Sequence, residues 1–286
     1  MIETRLDLKV QDATRTRNSD KQFTIGLARA FGGAIIFSLP LLMTMEMWYL
    51  GFSIDPLRLA LLILVFFPFL VALSHYSGFE DTPGWRDDLL DAFVAYAVGF
   101  ISSGLVLLLF GVLEFGMSLA EVIGKVSLQA VPASIGALLA HSQFGGHKEE
   151  QQAGEIETYQ GEMFLMMVGA LFLGFNVAPT EEIVLISYQM TEWHAIILII
   201  LSLVIMHAFV YAVEFKGQGS IPPEVSFGSV FLRFTIVGYV LSLIISFYIL
   251  WTFGQIEGMS AAQILRAVLV LGFPAAVGAA AARLIL

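Results

Sequence analysis

The sequence predicts an all-α integral membrane protein whose eight transmembrane helices form two four-helix units. Of the 286 residues, 58% are hydrophobic and only 13% are charged, and the mean hydropathy is +0.83. A soluble domain of this length would be more polar. The apolar residues fall into blocks of about 20, the length that a helix needs to cross a hydrocarbon layer of about 30 Å.

The predicted transmembrane spans are eight apolar blocks that follow one another along the whole chain. Because backbone groups in lipid must be hydrogen-bonded within the chain, each block is expected to be a helix. The spans lie at residues 25–49, 56–74, 89–113, 119–141, 161–187, 193–213, 229–253 and 261–285. The chain is thereby divided into an N-terminal cytoplasmic tail (1–22), a first four-helix repeat (23–143), an acidic cytoplasmic linker (144–158) and a second four-helix repeat (159–286).

The basic residues are distributed unequally between the two sides of the predicted bundle. Of the 14 Lys and Arg residues, only Arg58, Lys125 and Arg266 fall on the side opposite the N-terminal tail. Positive residues near span ends resist translocation, so this bias predicts a cytoplasmic N-terminus. An even number of spans then places the C-terminus in the cytoplasm as well. The N-terminal segment is polar, and we do not expect it to be a cleaved signal peptide.

An internal repeat is found when residues 116–140 are aligned without gaps on residues 258–282, a shift of 142. Ten of the 25 positions are identical, including a Gly-Met-Ser sequence and a later proline. A weaker match with a shift of 136 relates the first and fifth spans. Four spans per unit give both units the same orientation, which predicts a pseudo-two-fold axis along the membrane normal.

Three carboxylates lie before the ends of long apolar spans, namely Glu46, Glu181 and Glu182. A charged group at the centre of a span costs about 3 kcal/mol or more, and such groups usually face a cavity or the bundle interior. Glu46 and Glu182 occupy matching positions in the two repeats, so they are expected to form related sites for a cation or a proton. The alternative is that both spans end at the outer interface and that these carboxylates are solvated there.

Further oxygen ligands accompany these carboxylates in the sequence. Thr44 and Thr180 each lie two residues before a matched glutamate, and Asn176 precedes Thr180 by one helical turn. Oxygen donors of this kind suit a group 1 or group 2 cation or a proton relay. Which metal ion, if any, would bind is not specified by the sequence.

Four prolines are expected to bend or hinge helices. Proline removes a backbone hydrogen bond and clashes with the carbonyl four residues earlier. Pro179 and Pro40 are expected to bend the fifth and first spans, and Pro132 and Pro274 to bend the fourth and eighth at matched depths.

A histidine within the sixth span, His207, has two interpretations. It could act as a proton relay, or it could hydrogen-bond a neighbouring helix, and the structural interpretation is favoured.

Several classes of function are disfavoured by what the sequence lacks. There is no cysteine, and we find no phosphate-binding glycine loop, zinc-protease histidine pair or Gly-x-Ser-x-Gly motif. We therefore expect neither an enzyme nor a bound cofactor. A net charge of −10 without a basic face argues against binding to nucleic acid.

The Pro-Thr-Glu-Glu sequence at residues 179–182 and the repeated Gly-Met-Ser…Pro…Gly block resemble those of a family of bacterial inner-membrane proteins of unknown function. The resemblance implies eight spans in a bacterial inner (plasma) membrane and carries no activity. The paired acidic sequences are also similar in kind to those of cation exchangers, although those families use inverted repeats.

We therefore expect a membrane transport protein for a small inorganic cation or for protons, either an ion channel or an ion-coupled transporter. The alternative is a non-transporting scaffold or sensor that binds a partner through its acidic cytoplasmic loops. An anion pathway is disfavoured because few cationic groups approach the spans. Glycine and alanine surfaces favour internal packing, and a homo-oligomer is compatible with them.

Overall fold

The computed structural model of the protein describes residues 24–77, 85–144, 159–211, 228 and 231–285. The predicted tail (1–22) and nearly all of the predicted linker (144–158) lie outside the described residues. The described part contains ten helices and no strand. Their bounds are α1 Thr24–Leu42, α2 Met45–Ser53, α3 Pro56–Ser77, α4 Trp85–Leu109, α5 Leu119–Phe144, α6 Tyr159–Val177, α7 Glu182–Gln189, α8 Glu192–Tyr211, α9 Phe231–Thr252 and α10 Ala261–Ile285.

Eight of these helices are long and apolar enough to span a membrane, which confirms the predicted number of spans. The two others, α2 and α7, have nine and eight residues and are too short to do so. Large apolar side chains remain exposed on the outer surfaces of the bundle, for example Phe93, Leu105 and Ile197. Such surfaces are satisfied by contact with the lipid bilayer.

The first and fifth predicted spans are each divided into a long and a short helix, which corrects the sequence-based boundaries. The first is interrupted at Thr44, where the backbone is extended and the hydroxyl donates a 2.5 Å hydrogen bond to the carbonyl of Pro40. The fifth is interrupted after Val177, whose carbonyl accepts a 2.9 Å hydrogen bond from the Thr180 hydroxyl. In each break, a threonine hydroxyl bonds to a carbonyl near the end of the long helix, and the Val177 carbonyl also accepts a 3.2 Å hydrogen bond from the Thr180 amide.

Pro179 lies in the turn between α6 and α7 and not at a bend within one helix, so the expected kink is replaced by a complete break. Proline has no backbone N–H and cannot continue the hydrogen-bonding pattern of α6. The other three prolines, Pro40, Pro132 and Pro274, lie inside α1, α5 and α10 respectively.

One helix lies at the centre of each half. Helix α5 packs against α2, α3 and α4, and α10 packs against α6, α7, α8 and α9. Glycines let the first and last helices of each half approach closely. A Cβ atom added to Gly33 of α1 would lie 2.2 Å from the Gly136 carbonyl oxygen of α5, and one added to Gly169 of α6 would lie 2.1 Å from the Gly278 carbonyl oxygen of α10.

The loops that precede α5 and α10 begin with the same turn. Gly111 and Gly254 have positive φ angles of 70° and 73°. Their amides donate hydrogen bonds of 3.1 Å to Leu108 and Trp251. The sequences are Phe-Gly-Val-Leu-Glu-Phe-Gly-Met-Ser and Phe-Gly-Gln-Ile-Glu-Gly-Met-Ser, so the first loop has one extra residue, the fully exposed Phe115. These equivalent loops support the predicted repeat, and its symmetry axis stays a prediction.

The two halves meet through side chains of aromatic residues. Rings of α1 and α3 in the first half contact rings of α6 in the second half. The contacts are Phe37 with Phe172 (ring centroids 4.8 Å apart), Phe66 with Phe175 (6.4 Å) and Phe69 with Phe164 (5.0 Å). We call these six residues the aromatic seam.

Candidate cation site at a helix break

Both short helices lie on one face of the protein, together with the N-terminal ends of α3, α5, α8 and α10. Gly51 of α2 lies directly over the Lys125 backbone of α5, and Gln255 in the α9–α10 loop donates a 3.3 Å hydrogen bond to the carbonyl of Pro179. We call this the short-helix face. It corresponds to the predicted outer side of the bundle.

An open groove on the short-helix face contains two of the three predicted carboxylates. Glu181 lies just before α7 and Glu182 in its first turn. The groove is lined by Glu181, Glu182, Val184, Leu185, Tyr188, Gly254 and Gln255. Both carboxylates are exposed and form no ion pair with another described residue. Their side chains are therefore accessible from the groove at the end of α6, and their depth relative to the membrane stays a prediction.

Glu46 is not among the residues that line this groove. It is half-buried in the first turn of α2, the position that corresponds to Glu182 in α7. The structure thus brings Glu181 and Glu182 together and leaves Glu46 in the other half. Within the described part of the chain, no group of three or more acidic or histidine side chains could hold a metal ion.

The remaining oxygen ligands predicted from the sequence are largely used by the backbone. Thr44 and Thr180 donate their hydroxyls to carbonyls at the two helix breaks. Asn176 donates a 2.7 Å hydrogen bond to the carbonyl of Phe172, and its own buried Oδ1 atom has no hydrogen-bond partner. The two threonine hydroxyls act as donors in these bonds, so their oxygens also remain potential ligands.

His207 lies far from the groove, about 22 Å along α8 from Glu192 at the 1.5 Å rise of an α-helix. Its Nδ1 atom is 3.0 Å from Oγ1 of Thr235, and its ring contacts Phe231. Both partners belong to the π-helical segment that begins α9. This interhelical hydrogen bond is the structural role that the sequence favoured, and the proton-relay role stays a prediction.

The three basic side chains of the short-helix face are all paired with carboxylates. Arg58 Nη2 lies 2.6 Å from Glu257 Oε1, and Arg266 pairs with Glu192. The third pair, Lys125 with Glu121 at 2.7 Å, is the most buried, because Lys125 is only 8% exposed. The Lys125 Nζ atom also donates a 3.3 Å hydrogen bond to the carbonyl of Val112 in the α4–α5 loop.

This buried ion pair was missed by sequence reasoning, which treated Lys125 as an ordinary residue near a span end. The available signal was the spacing of Glu121 and Lys125, which places both on one side of α5. The backbone of Lys125 is covered by Gly51 of α2. Nothing in the sequence around Gly51 indicated this contact.

Comparison with known proteins agrees with this architecture. A family model described as "Putative integral membrane protein (DUF2391)" matches residues 26–286. The chain belongs to this family. The DUF2391 match begins in α1 and covers both halves, which confirms the resemblance to a membrane protein family of unknown function. No curated protein and no solved structure matches the chain.

Proposed function

We propose that this DUF2391 protein transports a small cation or protons across the membrane, as an ion channel or an ion-coupled transporter. The groove beside the break between α6 and α7 is the proposed entry site, with Glu181 and Glu182 as the carboxylates that attract the ion. Asn176 does not line the groove, and its buried amide oxygen, which has no hydrogen-bond partner among the described residues, is a candidate ligand outside the entry site.

The proposal rests mainly on one observation: Glu181 and Glu182 form no ion pair with a described residue. Arg58, Lys125 and Arg266 each form an ion pair with another acidic residue, so none of them neutralises Glu181 or Glu182. Two adjacent uncompensated negative charges in a concave site raise the local concentration of cations and their rate of association. The same charges disfavour an anionic substrate.

The interrupted helix gives a second line of support. In transporters of known architecture, ion sites commonly lie where membrane helices are discontinuous, because carbonyl groups are free there. The break at residues 178–181 has this character and adjoins the groove. Glu46 occupies the equivalent break in the first half, and we assign it a secondary role because it does not line the groove.

We further infer that the short-helix face points away from the cytoplasm, in the inner membrane of a bacterium. The predicted topology puts only three of the 14 Lys and Arg residues on this side of the membrane, which supports the orientation. The proposed entry groove is then on the outer side.

Cation flux from proteoliposomes tests the proposal. The double variant Glu181→Gln/Glu182→Gln removes both charges and preserves side-chain size. We expect it to lower the flux of the transported cation at least roughly tenfold. This factor corresponds to the lower end of the free energy attributed to one charge-assisted hydrogen bond. Na⁺, K⁺, Ca²⁺ and H⁺ would be screened, with Cl⁻ as the anion control.

Glu114→Gln is the matched control, because Glu114 is also an exposed carboxylate of the short-helix face but lies outside the groove. Its flux should equal that of the parent protein. Folding would be compared by thermal unfolding, since Glu182 in the first turn also stabilises α7. If the folded parent protein transports none of these ions, transport is rejected and the scaffold or sensor alternative is favoured.

A further inference from the structure

Arg58 joins the two halves at the short-helix face by three interactions. It belongs to α3 of the first half, and its partners lie at the end of α9 and in the α9–α10 loop of the second half. Its Nη2 atom pairs with Glu257 at 2.6 Å, and its Nη1 atom donates a 3.0 Å hydrogen bond to the carbonyl of Trp251. Its guanidinium also lies over the Trp251 ring, 5.1 Å from the centroid. We call this set of contacts the Arg58 latch.

The aromatic seam lies below the latch. Phe66 follows Arg58 by eight residues on α3, which corresponds to about 12 Å of helix, and Phe69 lies about 17 Å from it. Phe66 and its partner Phe175 are almost completely buried, with exposed fractions of 3% and 0%. The seam therefore extends from the latch into the membrane-spanning part of the molecule.

The seam differs from the packing inside each half. Within a half, the first and last helices touch through glycine backbones, and a displacement there would lose contacts along both helices. Between the halves, the described contacts are the three ring pairs, the Arg58 contacts and limited approaches of α3 to α9 and of α5 to α6. The interface between halves is thus the place where the molecule can open with the least disruption.

The latch is also connected to the groove. Gly254 and Gln255 line the groove and belong to the loop that Arg58 holds through Glu257. Gln255 links this loop to Pro179 in the break before α7. A movement of the loop would therefore change the groove and the latch together.

We propose that the aromatic seam is the translocation pathway in a closed state, and that the Arg58 latch locks its end at the short-helix face. This inference rests on the proposed function and assigns a route to it. Close-packed phenylalanine rings exclude water and ions, as hydrophobic constrictions of channels do. Release of the latch would let the halves separate at this end and admit water to the seam.

Cysteine accessibility tests the pathway directly, because the chain has no native cysteine. Phe66→Cys would be combined with Arg58→Gln or Glu257→Gln and treated with a membrane-impermeant, cationic thiol reagent. We expect Phe66→Cys to react slowly in the parent background and roughly tenfold faster when either latch residue is replaced. Ile135→Cys is the control, since Ile135 is equally buried, with 0% exposure, but lies in α5.

Acceleration at Phe66→Cys without acceleration at Ile135→Cys would support the pathway. An unchanged rate at Phe66→Cys, or the same acceleration at both positions, would overturn it. If Arg58→Gln does not fold, Glu257→Gln alone is used to open the latch. The Glu257 side chain is 65% exposed, and its replacement removes only the ion pair. The labelling needs no transported ion, so the two proposals can fail separately. An opening seam without cation flux would reject the proposed function and with it the seam's role in translocation, leaving only an interface that opens. Carboxylate-dependent flux with a closed seam would reject the pathway and leave the proposed function intact.

Discussion

The two halves of the molecule share a backbone plan but differ in their chemistry. Each half has a long helix, a short helix and three further long helices, with the last one central. In the first half, the central helix carries the buried Lys125 paired with Glu121. The corresponding positions of the second half, 142 residues later, are Ala267 and Gln263. The second half instead has the open groove with two unpaired carboxylates.

The first helices of the halves also differ in their surroundings. Phe175 of α6 is completely buried against the first half, whereas Leu39, the residue at the corresponding position of α1, is 42% exposed. The helix break in the second half therefore adjoins the interface between halves, and the break in the first half lies at its edge. The described part of the first half thus has a buried ion pair, whereas the groove of the second half has two carboxylates that form no ion pair with a described residue.

The largest effect is expected from filling the glycine contacts that both halves share. Gly33→Val and Gly169→Val place side-chain atoms where the carbonyls of Gly136 and Gly278 lie, so each should destabilise the fold by about 3 kcal/mol or more. Thermal unfolding in detergent would measure this. Gly32→Val is the neighbouring control, because nothing lies within 4 Å of a Cβ atom there. A stable Gly169→Val variant would show that the halves are not built alike.

A smaller effect is expected from separating the ion pair that distinguishes the first half. Lys125→Met leaves Glu121 partly buried without its partner and should cost about 2 kcal/mol of folding free energy. The double variant Lys125→Met/Glu121→Gln should recover part of this loss, because no uncompensated charge remains. The single variant Glu121→Gln completes the cycle, and single losses that add up to the loss of the double variant would indicate that the pair contributes no net coupling.

The smallest effect is expected at the helix caps, where the halves should respond equally. Ser118 accepts a hydrogen bond from the Glu121 amide at 3.2 Å, and Ser260 accepts one from the Gln263 amide at 3.4 Å. Ser118→Ala and Ser260→Ala should each lower stability by about 1 kcal/mol, the usual contribution of such a cap. Clearly unequal losses in the unfolding measurements would contradict equivalent loops.

Hydropathy was sufficient to predict the eight membrane helices because each apolar block matches the thickness of a bilayer. It did not predict the breaks at Thr44 and Pro179, since the short helices that follow continue the apolar stretches. The burial of Lys125 was also hidden, because lysines near span ends commonly extend their charged group towards water. Here Gly51 and the α4–α5 loop cover it instead.

The aromatic seam could not be predicted either, for a different physical reason. A phenylalanine such as Phe66 is equally compatible with lipid and with another helix, and its sequence position does not distinguish the two. The sequence identified the three candidate carboxylates, but it did not predict that Glu46 would lie apart from the other two. Glu181 and Glu182 are consecutive in the chain, and the packing of α7 against α10 and the adjoining loop places both at the groove and leaves Glu46 elsewhere.

The most direct test of the account is cation flux measured side by side for Glu182→Gln and Glu46→Gln, the matched carboxylates of the two halves. Both side chains lie in the first turn of a short helix, so their structural contributions are comparable. We expect a marked loss of flux for Glu182→Gln and a flux close to that of the parent protein for Glu46→Gln. Normal flux in Glu182→Gln, or an equal loss in both variants, would contradict the assignment of ion entry to the groove of the second half.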